Sequence, residues 1–242
     1  MAGTITAANL LLRIRDTLQD TTGVRWLDAE LLRYMNDAQR EIVNLRPEAA
    51  ATTANVALVV GTAQTIPTAG LRLIKVVRNM SAAGGSATGK RAIRIVDREI
   101  LDSQEPDWHD SSVSGDAAHT TTVKHYVFDE DDPRRFYVYP GASTTSTFVE
   151  IVYSTNPTDF ANTSSATMFV DDIYANALID YVLYRSYMKD AEFAGNQQRS
   201  GMHYQLFTSS LGAGGQSQTM LSPNMDAPRS AAPVGIPQPG VV

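Results

Sequence analysis

At 242 residues and 43% apolar, the chain is long enough to bury a core in one or two domains. It contains no cysteine, which excludes a disulfide framework and any thiolate metal site. A formal net charge of −6 argues against a duplex-binding surface, which neutralises phosphates with clustered Lys and Arg. Arg13 and Arg15 interrupt the only apolar run near the start, no basic n-region precedes it, and no run approaches a membrane span. A soluble chain without an export signal or membrane partner is expected.

The first predicted elements are helices within residues 4–46. Ala7, Leu10, Leu11, Ile14 and Leu18 recur at three and four, the period of one helix face. Asp20-Thr21-Thr22-Gly23 breaks that helix. A second starts at Asp28 as N-cap, with Glu30 in its first turn and Leu27 and Leu32 placed as a hydrophobic staple. Leu31, Met35, Ala38, Ile42 and Leu45 carry its stripe until Pro47 stops it. The two make an αα-hairpin.

From about 55 to 155 the period becomes two. Val56–Val60, Leu71–Arg78, Arg91–Val96, Val123–Phe128, Phe136–Tyr139 and Phe148–Tyr153 are predicted strands, separated by turns such as Asp131-Asp132-Pro133 and Pro140-Gly141. Residues 97–118 are harder to place: 97–102 suit a short helix and the rest a polar loop. Helix returns near Asp171, where Ile173, Ala177, Tyr181, Tyr184 and Met188 form a stripe that Leu178 and Val182 widen. Gly195 and Asn196 end it, and residues 197–211 suit one more helix. From 212 the chain carries five prolines, five glycines and no apolar period, so it is expected to stay disordered alone and to serve as an extended arm. Met220, Leu221, Met225, Val234 and Ile236 are its scattered apolar anchors, of the kind that insert singly into grooves on a partner.

These readings give an α+β fold: a helical bundle (N-terminal αα-hairpin plus C-terminal helices) with an inserted antiparallel β domain and an extended C-terminal arm. The expected divisions are 1–50, 51–160, 161–211 and 212–242. Leu31, Met35, Ile42, Ile173, Ala177, Tyr181 and Tyr184 are the expected bundle core.

Candidate chemistry is sparse. Gly84-Gly85-Ser86-Ala87-Thr88-Gly89-Lys90-Arg91 nearly matches a phosphate-cradling loop, but Arg91 stands where a magnesium-binding hydroxyl is required. No helix is expected behind it, so a hairpin tip is the better reading. His119 and His125, with Asp107 or Asp116, have no fixed common face on which to hold a metal, and surface histidine is favoured. The acidic run 129–132 lacks the glycine pivot and ligand spacing of a calcium loop. Trp108 suits either sugar stacking or, more readily, anchoring its long loop to the sheet. No catalytic residue and no cofactor are indicated.

Two helical stretches carry a resemblance. Arg25-Trp26-Leu27-Asp28-Ala29-Glu30-Leu31-Leu32 running through Asn36–Ile42 to Arg46-Pro47, and Asp180–Glu192 continuing to His203-Tyr204 and Phe207, resemble the two helical segments of the head-to-tail adaptor proteins of tailed bacteriophages. Val77-Arg78-Asn79-Met80, Leu101-Asp102, Pro106-Asp107-Trp108, Phe128-Asp129 and Tyr137-Val138-Tyr139-Pro140 resemble that family's β domain in order. The resemblance spans roughly residues 5–211. It implies a non-enzymatic virion protein forming a twelve-fold ring under the portal protein and presenting a platform to a tail or nozzle protein. DNA would pass through the ring without specific binding. The implied location is the virion neck, with host cytoplasm during assembly. Two other classes compete: a glycan-binding β module of a virion or cell surface, using Trp108 and the tyrosines, and a nucleotide-dependent enzyme using Gly84–Lys90.

Overall fold

A computed structural model describes residues 3–112, 114, 115, 118–190, 192, 193 and 195–220, the stretch 213–220 as backbone only. Its first helix, α1 (Ala7–Leu18), buries all five stripe residues, and the Thr6 hydroxyl accepts a hydrogen bond from the Asn9 amide. The Asp20 carboxylate then accepts the amides of Val24, Arg25 and Trp26 at 2.9–3.0 Å. These bonds, the one from Trp26 foremost, hold Asp20 below the usual carboxylate range.

The second helix, α2 (Asp28–Leu45), starts one residue earlier in phase than expected. Leu27 is the N-cap, without a side-chain cap bond, and Asp28 is the first helical residue. The staple therefore shifts: Leu27 is 62% exposed, whereas Trp26 and Leu31, flanking the cap, are buried in one core. Asp28 instead meets Arg15 at 2.6 Å. At the far end Leu45 is exposed and Val43 is buried, because the 3₁₀ turn Pro47–Ala50 redirects the chain before the stripe completes another turn.

The strands are β1 (Ala51–Ala57), β2 (Gly61–Thr65), β3 (Gly70–Met80), β4 (Gly89–Ala92), β5 (Arg94–Ile95), β6 (His125–Phe128), β7 (Arg135–Ala142) and β8 (Phe148–Thr155). They form two four-stranded sheets, ordered β1-β8-β3-β4 and β2-β7-β6-β5. Three differences from expectation have physical causes. The first strand ends at Ala57, and Val59 and Val60 lie exposed in the turn that follows. The strand β2 has no apolar alternation to reveal it, since its buried residues are Thr62 and Gln64. The predicted strand Arg91–Val96 divides between the sheets: β4 pairs with β3, whereas β5 runs parallel to β6, so the β region is not wholly antiparallel. Ile93 is buried at that corner and Ile95 is exposed.

Between β5 and β6, α3 (Arg98–Gln104) is capped by the Asp97 carboxylate on the Glu99 amide at 2.9 Å. After β8 the Asp171 carboxylate caps a 3₁₀ turn, Asp172–Tyr174, ahead of α4 (Ala175–Lys189) and α5 (Asn196–Met220).

The chain is thus α+β, with five α-helices and two antiparallel-rich sheets among the described residues. One core joins side chains of α1, α2, α4 and α5, and a second fills the space between sheets around Val123, Phe136, Val138, Val149 and Ile151.

Candidate functional site

Leu31, Met35, Ile42 and Ala177 lie in the helical core. Ile173 does not: it is 69% exposed, a correction to the expected stripe. It sits in the 3₁₀ turn, where the side-chain phase is three residues per turn and does not continue that of α4. The buried face of α4 runs instead through Leu178, Val182, Ser186 and Tyr187, and Met188 is exposed. Small polar Ser186 interrupts the apolar pattern, which is why periodicity alone favours the tyrosine side.

Tyr181 and Tyr184 border that face. Tyr181 packs edge-on against Phe207 with centroids 5.2 Å apart, and Tyr184 lies 5.0 Å from Tyr204. This aromatic seam fixes α5 against α4. Near its end Arg46 donates to the carbonyls of Leu211 and Gly212, tying α5 back to the end of α2. The helix does not stop there. It continues through Met220, so the expected arm begins helical rather than extended over 212–220. Leu221, Met225, Val234 and Ile236 lie outside the described residues, as does the side chain of Met220.

Where α1, α4 and α5 converge, Arg25 stacks over Phe193 and Trp26 and pairs with Asp190. A cleft of about 560 Å³ opens beside them, lined also by Tyr187, Arg199 and His203. Lys189 reaches Glu30 at 2.7 Å, so both helix–helix turns are clasped by ion pairs.

In the β region the competing sites lose their geometry. Gly84 and Gly85 occupy an open tip between β3 and β4, and the chain after Lys90 is strand, not helix. Trp108 is fully buried. Its Nε1 donates to Asp102 at 2.8 Å, and its ring meets Tyr137 and Tyr139 edge-on. It anchors its loop and offers no face to a sugar. His109 stacks on it at 3.7 Å and shares a 2.7 Å hydrogen bond with Thr62. Burial, then the charge of Arg98, keeps His109 below its ordinary pKa of 6.5. His119 packs over Gly141 with both ring nitrogens buried and unpaired. Among the described residues no group of three His, Asp or Glu is placed to hold a metal, and no helix is long and apolar enough to cross a membrane.

The long-range contacts that join the helices are ion pairs, a cation stacked on aromatic rings and an aromatic seam. Periodicity places the helices but misses Arg25, Asp190 and Phe193 as a unit; the only hint is an arginine flanked by an aromatic beside the first helix turn.

No curated relative matches the chain. Among solved structures it is similar to a chain of one described as "Neck of empty GTA particle computed with C6 symmetry". Identity is 21%, over 75% of this chain and 81% of that one, with a TM-score of 0.25, too low to carry an argument. The family model described as SU10 adaptor protein matches residues 5–230, nearly the whole chain. The chain belongs to the SU10 adaptor protein family.

Proposed function

We propose that this chain is the head-to-tail adaptor of a tailed bacteriophage or phage-like particle, a structural virion protein of the neck. It assembles as a ring, twelve-fold in this reading, beneath the portal protein. The ring extends the DNA channel and gives the tail or nozzle protein its platform. The observation that carries this is the adaptor-family match across residues 5–230. It includes both helical ends and everything between them.

The architecture supports the division of labour. The helices of 1–50 and 161–211 share one core and act as a bundle, while 51–160 is an inserted β domain with its own core. The bundle meets the portal, and the β domain faces outward or tailward. The segment after Leu211 is the portal-gripping arm, its first nine residues a continuation of α5. Three glycines within 212–215 weaken that helical extension by about 1 kcal/mol each relative to alanine, so it gains most from a partner. The chain performs no catalysis in this role, and assembly takes place in the host cytoplasm.

Ring formation is expected to need the portal as template. Sedimentation of isolated protein should give monomers or small oligomers, with rings appearing on addition of portal. Removing residues 221–242 should leave melting unchanged and weaken portal binding at least tenfold. Full-affinity docking by the truncated chain would assign the joint to the helices alone.

A further inference from the structure

The net charge of −6 hides an edge that carries both signs. The strand β5 closes one side of its sheet and runs parallel to β6, with Arg94 beside His125 and Ile95 beside Tyr126. Because the pair is parallel, both strands enter at one end and leave at the other. At the entry lie Arg91, Arg94 and Lys124. Buried Asn79 donates to the carbonyls of Arg91 and Val123 at 2.9 and 2.8 Å, and the Arg94 amide reaches the Lys124 carbonyl at 3.3 Å, so backbone bonds hold these cations together. At the exit lie Asp97 and Glu99 on the α3 side and Asp129, Glu130 and Asp131 behind β6. The four residues of β6 separate the two ends by about 13 Å, at about 3.3 Å each.

The exit end is a cleft of about 620 Å³, lined by these carboxylates and by Ile95, which is 65% exposed. Asp97 and Asp129 accept the amides of Glu99 and Asp131, whereas Glu99, Glu130 and Asp131 are exposed. Arg98 also lines the cleft but pairs with Asp102 at 3.4 Å and lies over Tyr137. Among the described residues, neither the five carboxylates nor the three entry-end cations form an ion pair.

Like charges crowd at each end, and each end carries the sign that the other needs. A molecule that satisfies both is another copy of this chain. We infer that neighbouring copies join head to tail along this edge, the Arg91–Arg94–Lys124 corner of one entering the acidic cleft of the next. The two ends differ in shape as well as sign, one a cleft and the other a largely exposed corner. The contact is therefore heterologous, and such a contact closes into a ring or runs on as a filament. The inference deepens the ring reading given above and rests on it for closure. Exposed ion pairs hold weakly and are screened by salt, so this contact sets the order and orientation of neighbours more than it binds them. That agrees with ring formation awaiting a template.

The test uses the full chain without a portal. Sedimentation should show concentration-dependent self-association that is lost between about 10 mM and about 1 M salt, as the screening length falls from about 30 to about 3 Å. Two charge reversals address the two ends: R91E/R94E/K124E, and E99K/E130K/D131K, which spares the capping carboxylates of Asp97 and Asp129. Each alone should weaken self-association at least about tenfold, because like charges then meet. An equimolar mixture of the two should recover it, since one variant carries two acidic ends and the other two basic ends. A mixture that associates no better than either variant alone would overturn the inference. Independently of any variant folding, carbodiimide treatment of the unmodified chain, half of it isotope-labelled, should link Lys124 of one copy to Glu99, Glu130 or Asp131 of another. Links confined to single copies would overturn the inference. Capture of polylysine by a chain that does not self-associate would do so too, assigning the cleft to a basic segment of another protein. Portal docking is scored apart: docking without self-association defeats this inference alone, and self-association without docking defeats the adaptor reading alone.

Discussion

The helical and β regions solve the same problem, closing a core, with different side chains. The helical core is apolar stripe against apolar stripe, rimmed by ion pairs such as Arg40–Asp159 at 2.6 Å and Lys189–Glu30 at 2.7 Å and by side-chain bonds to loop amides such as Asn36 to Phe160 and Gln39 to Phe169. The β core has irregular corners where strands leave one sheet for the other, and ladder bonds run out there. Buried amides replace them. Gln64 bonds the backbone of Val59 and Gly61, and Asn79 bonds that of Arg91 and Val123. The lesson is that the buried amides of the β region each hold three backbone bonds at a corner, whereas Asn36 and Gln39 in the helical region each brace one loop amide closely. An unpaired buried backbone group costs about 1–3 kcal/mol, whereas an exposed ion pair contributes under about 1 kcal/mol.

That contrast can be broken by substitution. Trp108→Ala should have the largest effect, about 3–5 kcal/mol in chemical denaturation, since it empties a fully buried site and orphans the Asp102 bond. Asn79→Leu should follow at about 3 kcal/mol, because one near-isosteric change strands three backbone groups. Its helical counterpart, Gln39→Leu, should cost about half as much. Gln39 is equally buried, but it makes one good bond, accepting the Phe169 amide at 2.7 Å, and one long one of 3.4 Å to Thr158. Equal losses for Asn79→Leu and Gln39→Leu would dissolve the distinction.

Acidification sharpens the same comparison. His109 is depressed below its ordinary 6.5 by burial and Arg98, so the unfolded chain takes up the proton first. The stability it contributes is complete above pH 6.5 and is lost as pH falls from there through its folded value. Thermal melts between pH 7 and 5 should decline less steeply for His109→Gln than for the unmodified chain. Lys189→Ala should have the smallest effect, under about 1 kcal/mol, because its side chain is half exposed.

The legibility of each region in the sequence follows from this chemistry. The stripe Ala7–Leu18 is readable in full because every buried position is apolar. The strand Gly61–Thr65 is unreadable because its inward residues are Thr62 and Gln64, which fill corner positions and carry no period. Periodicity misreads the face of α4 by one side because Ser186 is buried and Ile173 belongs to a capped 3₁₀ turn. The clasp at the helix turns is not legible in the sequence. Arg25 lies 165 residues before Asp190, and only the fold brings the two together with Phe193.

The central claim is that this chain joins a portal to what lies beyond it. Native mass spectrometry of the full-length protein with the portal ring of its own particle tests that most directly. The account predicts a portal mass increased by a fixed whole number of 26.3 kDa subunits, with no partly filled series at excess. A portal whose mass stays unchanged under the same conditions would contradict it.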